Sequence, residues 1–283
     1  MFHPRGLILT VLAMLAFAGN SILCRLALRE TPIDAATFTS IRLISGAIIL
    51  GLITQIKGRS LKAEGNWTSA LALFIYAAGF SFAYIQLAAG TGALLLFGAV
   101  QITMIGYGFW TGERLSKQQI AGFILALLGL VGFLLPGLSA PPLQSSALMI
   151  AAGIAWGIYS LRGKAASNPL GMTAGNFLRA VPFTVGLSLS MISETSLTLA
   201  GCLYAVAAGA VTSGLGYTIW YTALKDLTAT SAATVQLSVP VIAAAGGILF
   251  LGENLTLRLM VASCAILGGI ALAILEKPKT SKT

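Results

Sequence analysis

The side chains in this sequence that could bind a small molecule are aromatic rings set at helical spacing within long apolar segments. Two such sets recur at i, i+3 or i+4 and later positions, so each set shares one face of a helix. They are Tyr76, Phe80 and Tyr84, and Tyr217, Trp220 and Tyr221. Rings with hydroxyl or indole donors can enclose a flat, partly apolar guest. The alternative interpretation is helix packing or an interfacial aromatic belt.

Side-chain amides form a second group of candidates. Asn20, Gln101 and Gln236 lie within apolar segments. A polar group in such a setting needs a partner, so it tends to face the bundle interior or a water-filled path. Hydrogen bonding between helices is the alternative. Further aromatic candidates are Trp156, Tyr159 and Trp110.

Two arginines, Arg42 and Arg179, lie inside apolar segments at corresponding places in the two halves of the chain. An arginine at the bilayer centre costs at least about 2.5 kcal/mol on insertion scales, so each needs a partner or must reach the interface. One interpretation is that they bind a substrate carboxylate. We favour a structural role, in which each anchors its half through backbone carbonyls or acidic loop residues.

The acidic residues avoid the middle of every apolar segment. They are Glu30, Asp34, Glu64, Glu113, Glu194, Asp226, Glu253 and Glu276. Proton-coupled transport generally needs an embedded group that titrates, which arginine does not do at accessible pH. The only histidine is His3, and no metal-ligand cluster or phosphate-binding glycine motif is present, so enzyme chemistry has almost no support. We therefore expect no cofactor, no metal and no proton coupling.

The composition is that of a membrane protein, with 57% hydrophobic and 9% charged residues and a mean hydropathy of +0.91. Long apolar runs predict an all-α membrane protein, because a spanning helix takes about 20 such residues. Ten segments are predicted: 6–28, 35–56, 67–89, 91–111, 117–135, 145–161, 172–192, 197–224, 229–251 and 256–275. The closest pairs of segments meet at Gly90 and around Asp226, which predicts two tight hairpins.

The charge of +9 reflects membrane topology rather than nucleic-acid binding. Alternate gaps between segments hold 12 Lys and Arg residues on one side and 3 on the other. Because basic loops stay in the cytoplasm, both termini are predicted to be cytoplasmic.

The sequence contains a weak internal repeat, which divides the chain into two halves. The Gly112-Glu113 turn before the fifth segment returns 140 residues later as Gly252-Glu253. Further pairs in chain order are Gly19 with Gly157, Arg42 with Arg179, and Tyr84 with Tyr221. Five helices per half is an odd number, so the second half must insert upside down. We predict two inverted repeats, at 1–137 and 138–276, followed by a basic tail at 277–283. In transporters of this plan the substrate binds near the midplane between the repeats.

These features together resemble the drug/metabolite transporter superfamily, specifically its ten-helix members with two EamA-type repeats. The resemblance covers residues 6–276 and rests on the 5+5 plan, the Gly-Glu turns, the helix arginines, Ala155-Trp156-Gly157 and Pro240. The overall pattern looks like the aromatic amino acid exporters of the bacterial inner membrane. Pro240 corresponds to Val100, so the fourth helix lacks the proline familiar in the family. A bend there would have to come from Gly98, Gly106 or Gly108.

The resemblance implies a multi-pass inner-membrane exporter that works by alternating access and needs only the lipid bilayer and a small-molecule substrate. A monomer should suffice. The embedded arginines lie away from the midplane, which favours a neutral or zwitterionic substrate over phosphorylated sugars; aromatic amino acids fit best. The alternatives are export of other metabolites or drugs, including proton-coupled antiport, and more remotely a channel or an intramembrane enzyme.

Local signals predict where helices begin and where they could move. Ser116 and Gln119 have the spacing of a capping box that starts the fifth helix. The eighth segment is longer than a membrane requires and carries Gly209, Gly214 and Gly216, so a tilt or break is expected there. We assign structural or gating roles to Gly214, Gly216 and Pro240, along with Arg42 and Arg179.

Overall fold

Ten helices make up the part of the chain that the computed structural model describes, which is residues 4–58, 64–110, 116–137, 140–163, 166, 168–224 and 235–274. These residues contain no strand. In chain order the helices are α1 (Pro4–Glu30), α2 (Ala35–Ile56), α3 (Trp67–Tyr84), α4 (Ala89–Trp110), α5 (Lys117–Leu134), α6 (Leu143–Gly163), α7 (Pro169–Ser190), α8 (Leu199–Ala223), α9 (Ser238–Leu251) and α10 (Leu257–Ile274). A 3₁₀ turn, Ile192–Glu194, follows α7.

The predicted all-α membrane fold is confirmed. By length and apolar composition, α1 to α5 and α8 can each cross a membrane, while α9 and α10 are apolar but shorter. Helices α6 and α7 are long enough at 21 and 22 residues but do not reach the same apolar composition. Part of their polarity is internal, since Ser145, Ser146, Thr173, Asn176 and Thr184 are buried.

The tight hairpin predicted at Gly90 lies a few residues earlier in the chain. Helix α3 ends at Tyr84 and α4 begins at Ala89, so Gly90 belongs to the first turn of α4. There it lies against Ala244 of α9, where a Cβ on Gly90 would come within 2.7 Å of the Ala244 methyl group. The second hairpin, around Asp226, and the Gly112-Glu113 turn lie outside the described residues. The predicted capping box is present: the Gln119 amide N–H donates to Ser116 Oγ at 3.2 Å.

The largest helix contacts are matched when the two halves of the chain are exchanged. Helix α3 packs on α6 and α7, and the corresponding α8 packs on α1 and α2. Helix α4 packs on α6 as α9 packs on α1. The remaining large contacts join corresponding helices directly: α2 with α7, α4 with α9, and α5 with α10.

Two of these corresponding pairs run antiparallel. In the α2–α7 pair, Ser40 meets Ser188 while Gly46, further along α2, meets Phe177, earlier in α7. In the α5–α10 pair, Gly129 lies against Ala265 while Ala126 lies against Gly269. In these two pairs, helices that occupy the same place in each half point in opposite directions.

Small residues bring α6 close to α4 at the centre of the bundle. A Cβ on Gly153 would lie 2.6 Å from the Leu96 carbonyl oxygen, and one on Gly157 would lie 3.0 Å from Thr103. Only glycine fits between two backbones at this separation, as small-xxx-small spacing in membrane helices predicts. The close approach places Trp156, between these glycines, beside α4.

Asp34 ties the α1–α2 turn to the segment that precedes α8. Its Oδ1 accepts the Thr37 amide N–H at 2.8 Å, which caps α2, and its Oδ2 accepts the Ser196 amide N–H at 2.9 Å. Partial burial disfavours the charged form, but the hydrogen bonds from Ser196 and Thr37 outweigh it and lower the pKa of Asp34. The carboxylate therefore stabilises the folded state above its ordinary pKa of 3.8, and this contribution is lost as pH falls towards the lower folded value.

We expect Asp34→Asn to lower stability at pH 7 by about 1–2 kcal/mol, the usual effect of a lost cap or amide partner. Asparagine still caps Thr37 but turns an N–H donor towards Ser196. Thermal unfolding in detergent from pH 7 to pH 3 should show the gap between wild type and variant narrowing below about pH 4. Glu194→Gln, which removes a nearby exposed carboxylate, is the control. A gap that stays constant to pH 3 would contradict this role for the Asp34 charge.

Candidate functional site

A small cavity lies at the centre of the bundle, among helices from both halves. Its lining comes from α1, α3, α4, α6 and α8 and consists of Phe17, Asn20, Tyr76, Phe80, Leu96, Phe97, Trp156 and Tyr217. Five of these eight residues were predicted from the sequence as substrate-binding candidates, namely Asn20, Tyr76, Phe80, Trp156 and Tyr217. Rings dominate the lining, and the polar atoms come from one amide, one indole and two hydroxyl groups.

Trp156 occupies the middle of the aromatic lining. Its ring centroid lies 4.8 Å from that of Tyr76 and 4.8 Å from that of Tyr217, both tilted. Tyr159, one turn further along α6, stacks on Trp156 at 5.5 Å, outside the cavity lining. Tilted and edge-on contacts of this kind each add roughly 0.5–1.5 kcal/mol beyond the area that they bury. The rings therefore hold one another in fixed orientations around the cavity.

Phe17 was not predicted as a site residue from the sequence. Its ring centroid lies 6.1 Å from that of Trp156 and 6.0 Å from that of Tyr217. It also lies 5.7 Å from Trp220, which is buried beside the cavity without lining it. The available signal was its position three residues before Asn20, on the same helix face. Phe97 was missed in the same way, since it precedes Gln101 by one turn.

A hydrogen-bond network joins four helices behind the rings. The Tyr76 hydroxyl oxygen accepts from Asn20 Nδ2 at 3.2 Å and from Arg42 Nη2 at 3.0 Å. Thr212 Oγ1 in turn donates to Asn20 Oδ1 at 3.2 Å. Helices α1, α2, α3 and α8 are thus connected through a single tyrosine hydroxyl and its neighbours.

Arg42 lies within this network, and its surroundings differ from the anchoring role that we favoured. The residue is 1% exposed, and its guanidinium carbon lies 4.9 Å from the Phe80 ring centroid and 5.2 Å from that of Tyr76. Its Nε donates to Ser213 Oγ at 3.2 Å. Among the described residues no carboxylate forms an ion pair with Arg42. Its partners are rings and hydroxyls next to the cavity, rather than backbone carbonyls or acidic loop residues.

Arg179, at the corresponding place in the second half, has the contacts that we expected of an anchor. Its Nη1 donates to the Glu64 carbonyl at 2.7 Å and to the Gly175 carbonyl at 3.0 Å. It thereby fixes the segment that leads into α3 against α7. The two arginines share a place in the repeat but not an environment.

Helix α8 is irregular where its glycines lie. Residues Ala207–Leu215 form a π-helical segment between two α-helical stretches. A Cβ on Gly209 would collide with the Arg42 carbonyl, one on Gly214 would lie 2.7 Å from Ile49, and one on Gly216 would lie 2.9 Å from Ala16. The glycines let α8 pack closely on α1 and α2, and π segments are often found at functional sites.

Two tyrosines predicted for the site lie towards opposite ends of the bundle. Tyr84 packs edge-on against Phe80 at 4.7 Å and donates its hydroxyl to the Ala89 carbonyl at 3.2 Å. Tyr221 is buried near the other end, where a Cβ on Gly163 would lie 2.8 Å from its hydroxyl oxygen. Neither lines the cavity, but each closes the bundle above or below it.

The remaining candidates also lie away from the cavity lining. Gln101 and Gln236 are buried, at 2% and 7% exposure, and Trp110 is 83% exposed at the surface. Pro240 lies in the first turn of α9, just after a break at Leu237. Proline has no N–H to offer the Gln236 carbonyl, so the helix restarts there rather than bending in its middle.

An ionic cluster ties the helices together at the end predicted to face outside. Arg25 Nε lies 3.3 Å from Glu253 Oε1, and Glu253 Oε2 accepts the Ala89 amide N–H at 2.8 Å. Arg25 Nη1 also donates to the Tyr84 and Ile85 carbonyls. The cluster holds α1, the α3–α4 turn and the α9–α10 turn together. No pattern in the sequence indicated that Arg25 and Glu253 would meet.

Comparison with known proteins places these features in a family. Residues 4–135 and residues 144–275 each match the EamA-like transporter family. An uncharacterized protein of Pseudomonas aeruginosa is 56% identical over 271 residues, covering 95% of this chain and 94% of that protein. The threonine/homoserine exporter RhtA of Salmonella typhimurium is 30% identical over 175 residues, covering 58% of this chain and 59% of that protein.

A solved structure has the same fold. A crystal structure of a protein that is 18% identical covers 95% of this chain and 97% of its own, with a TM-score of 0.65. Within the described residues, no group of three or more His, Cys, Asp or Glu side chains could hold a metal ion.

Proposed function

Because this chain belongs to the EamA-like transporter family, we propose that it exports amino acids or closely related zwitterions from the cytoplasm across the inner membrane. The observation that carries the proposal is the central cavity, where rings and a few hydrogen-bonding groups from both halves converge. In this conformation the cavity volume is about 10 Å³, room for roughly one water molecule, so it must widen to admit a substrate. Its lining suits a small molecule with an apolar body and a polar end. The similarity to a threonine/homoserine exporter supports amino acids as the class. The number of rings favours aromatic amino acids within it.

The proposed mechanism is alternating access between two inverted repeats, residues 1–137 and 138–276. The antiparallel packing of α2 on α7 and of α5 on α10 supports the inversion. The Arg25–Glu253 cluster closes the cavity towards the predicted outside, and Tyr221 closes it towards the cytoplasm. Rocking of one half against the other would open these closures in turn around one site. Gly214 and Gly216 would let α8 slide in that movement, and Pro240 would let α9 pivot.

We propose facilitated transport, driven by the substrate gradient alone. The carboxylates within the described residues lie at helix ends or between helices, as Glu30, Asp34, Glu64, Glu194 and Glu253 show. A proton-coupled carrier would need such a group within the membrane-spanning part.

Flux measurements with the purified full-length protein in liposomes test this function. Vesicles are loaded with labelled phenylalanine, tyrosine, tryptophan, threonine or homoserine, with equal pH on both sides. We expect saturable efflux of at least one aromatic amino acid, competed by the unlabelled compound. Empty liposomes and liposomes with the protein heat-denatured are the controls.

Each failure points to a different alternative. Transport of an unrelated metabolite or drug but of no amino acid would overturn the substrate class and leave the transporter function intact. Flux that does not saturate would indicate a channel. Accumulation against a gradient that follows an imposed pH difference would overturn facilitated transport.

A further inference from the structure

We infer that Arg42 binds the carboxylate of the transported molecule, so that the substrates are monocarboxylates with a compact apolar or ring-bearing body. The inference rests on the proposed function and assigns Arg42 the role of a binding residue. It departs from the structural role expected from the sequence, and it separates Arg42 from Arg179.

Arg42 has a donor that the fold does not use. Its Nε and Nη2 donate to Ser213 and Tyr76, whereas Nη1, fully buried, has no hydrogen-bond partner among the described residues. A buried guanidinium N–H without an acceptor destabilises the fold, because it has lost its hydrogen bond to water and has formed none in the protein. An acceptor supplied from outside the protein would remove that cost.

The charge of Arg42 is also unpaired within the described part of the chain. The carboxylates there lie at helix ends or between helices, and the two ion pairs found involve Arg25 and Arg29. A lone buried cation is rare in membrane helices and marks a functional site by default. Stacking on Tyr76 and Phe80 offsets part of the cost but leaves the charge without an anion.

The Arg42 guanidinium lies one side chain away from the cavity and does not itself line it. Tyr76 and Phe80, on which the guanidinium stacks, both line it. Tyr217 also lines the cavity and is close enough to Arg42 for an electrostatic interaction. Its hydroxyl is buried, and Tyr76 and Ser213 lie within reach of it. One spare guanidinium donor with its positive charge, and the Tyr217 hydroxyl, are therefore found beside a cavity lined mainly by rings.

Carboxylate fits this arrangement better than a larger anion. It accepts at two oxygens and carries one charge, which matches one free guanidinium nitrogen and one hydroxyl. A phosphate dianion would require more donors and a second positive charge. Since Nε and Nη2 already donate to Ser213 and Tyr76, Nη1 is the nitrogen that remains for the substrate.

The other end of an amino acid has suitable surroundings as well. An ammonium group is attracted to the faces of electron-rich rings, and Trp156, Tyr76 and Tyr217 present three of them at the cavity. Thus Arg42 would bind the carboxylate of a zwitterion, and the ring faces would bind its ammonium group.

Competition with matched acid and amide ligands tests the role of Arg42. Binding to the purified full-length protein in detergent is measured by thermal shift, with L-phenylalanine against L-phenylalaninamide and L-threonine against L-threoninamide. Benzoate and lactate are tested as monocarboxylates that are not amino acids. We expect each acid that binds to do so roughly 10- to 100-fold more tightly than its amide, the usual value of a hydrogen bond to a charged group. Arg42→Gln should abolish the preference, and Arg42→Lys should keep part of it.

The outcomes separate this inference from the proposed function. If acid and amide bind equally well to the wild type while amino acids are transported, the inference is wrong and the function stands. If benzoate or lactate binds in an Arg42-dependent way but no amino acid binds or moves, the inference stands and the amino acid proposal is wrong. If none of the carboxylates binds, or if Arg42→Gln keeps the full acid preference, Arg42 is not the binding residue.

Discussion

Arg42→Met is expected to raise the stability of the substrate-free protein while abolishing transport. The arginine buries a charge with no carboxylate partner in the described part of the chain, and methionine fills similar space without that charge. Replacing buried charges by packed apolar side chains is often stabilising by about 1–4 kcal/mol. Thermal unfolding in detergent without ligand and flux in liposomes measure the two effects separately.

Arg179→Met is the matched control, and we expect it to change the stability in the opposite direction. Its guanidinium donates to the carbonyls of Glu64 and Gly175, so methionine would leave the Glu64 carbonyl without this donor and would remove the tie between that segment and α7. We expect a loss of roughly 1–3 kcal/mol of stability. If both variants lose stability equally, Arg42 is a structural residue. If Arg42→Met transports normally, it is not a binding residue.

Trp156→Ala is expected to have the largest effect of any ring substitution in the protein. The indole is 3% exposed and contacts the rings of Phe17, Tyr76, Tyr159 and Tyr217. Removing a buried aromatic side chain costs about 3–5 kcal/mol. The variant should therefore unfold at lower temperature, and flux should fall at least tenfold in whatever protein remains folded, because the cavity loses its central wall.

Trp110→Ala provides the control for the same chemical change at the surface. Its side chain is 83% exposed, so stability should change by no more than about 0.5 kcal/mol. Trp156→Phe removes the indole without leaving a large void. We expect this variant to lose little stability but a larger share of its flux. Normal flux in Trp156→Phe, together with normal flux per folded molecule in Trp156→Ala, would exclude the indole from the binding site.

The apolar patterning of the sequence predicted most helix boundaries to within about three residues, but α9 begins at Ser238, nine residues after the predicted start at 229. Spanning helices need long apolar runs, and the breaks between these runs are visible at Pro32, Asn66 and Asn168. The capping box at Ser116 has a local cause and was predicted correctly. The α3–α4 turn was placed late because Ile85, Leu87 and Ala88 are as apolar as the helices beside them.

The candidate site was harder to predict because it depends on contacts between distant helices. Asn20, Tyr76, Trp156 and Tyr217 stood out as polar or aromatic residues among aliphatic ones. Phe17 did not, because a phenylalanine in a membrane helix is unremarkable unless its neighbours are known. The sequence pairs Arg42 with Arg179, whereas their environments differ through partners about 30 to 170 positions away.

The π-helical segment in α8 has a consequence for the energetics of transport. Its counterpart α3 is α-helical from Trp67 to Tyr84, so the two halves differ in the helix backbone beside the central cavity. In a carrier with two identical halves, exchanging the conformations of the halves would convert the inward-facing state into the outward-facing state. The two states would then have equal free energies. With unequal halves, one state is the resting state under alternating access. The half-saturation concentrations at the two membrane faces then differ, although net flux of a facilitated carrier still follows the gradient.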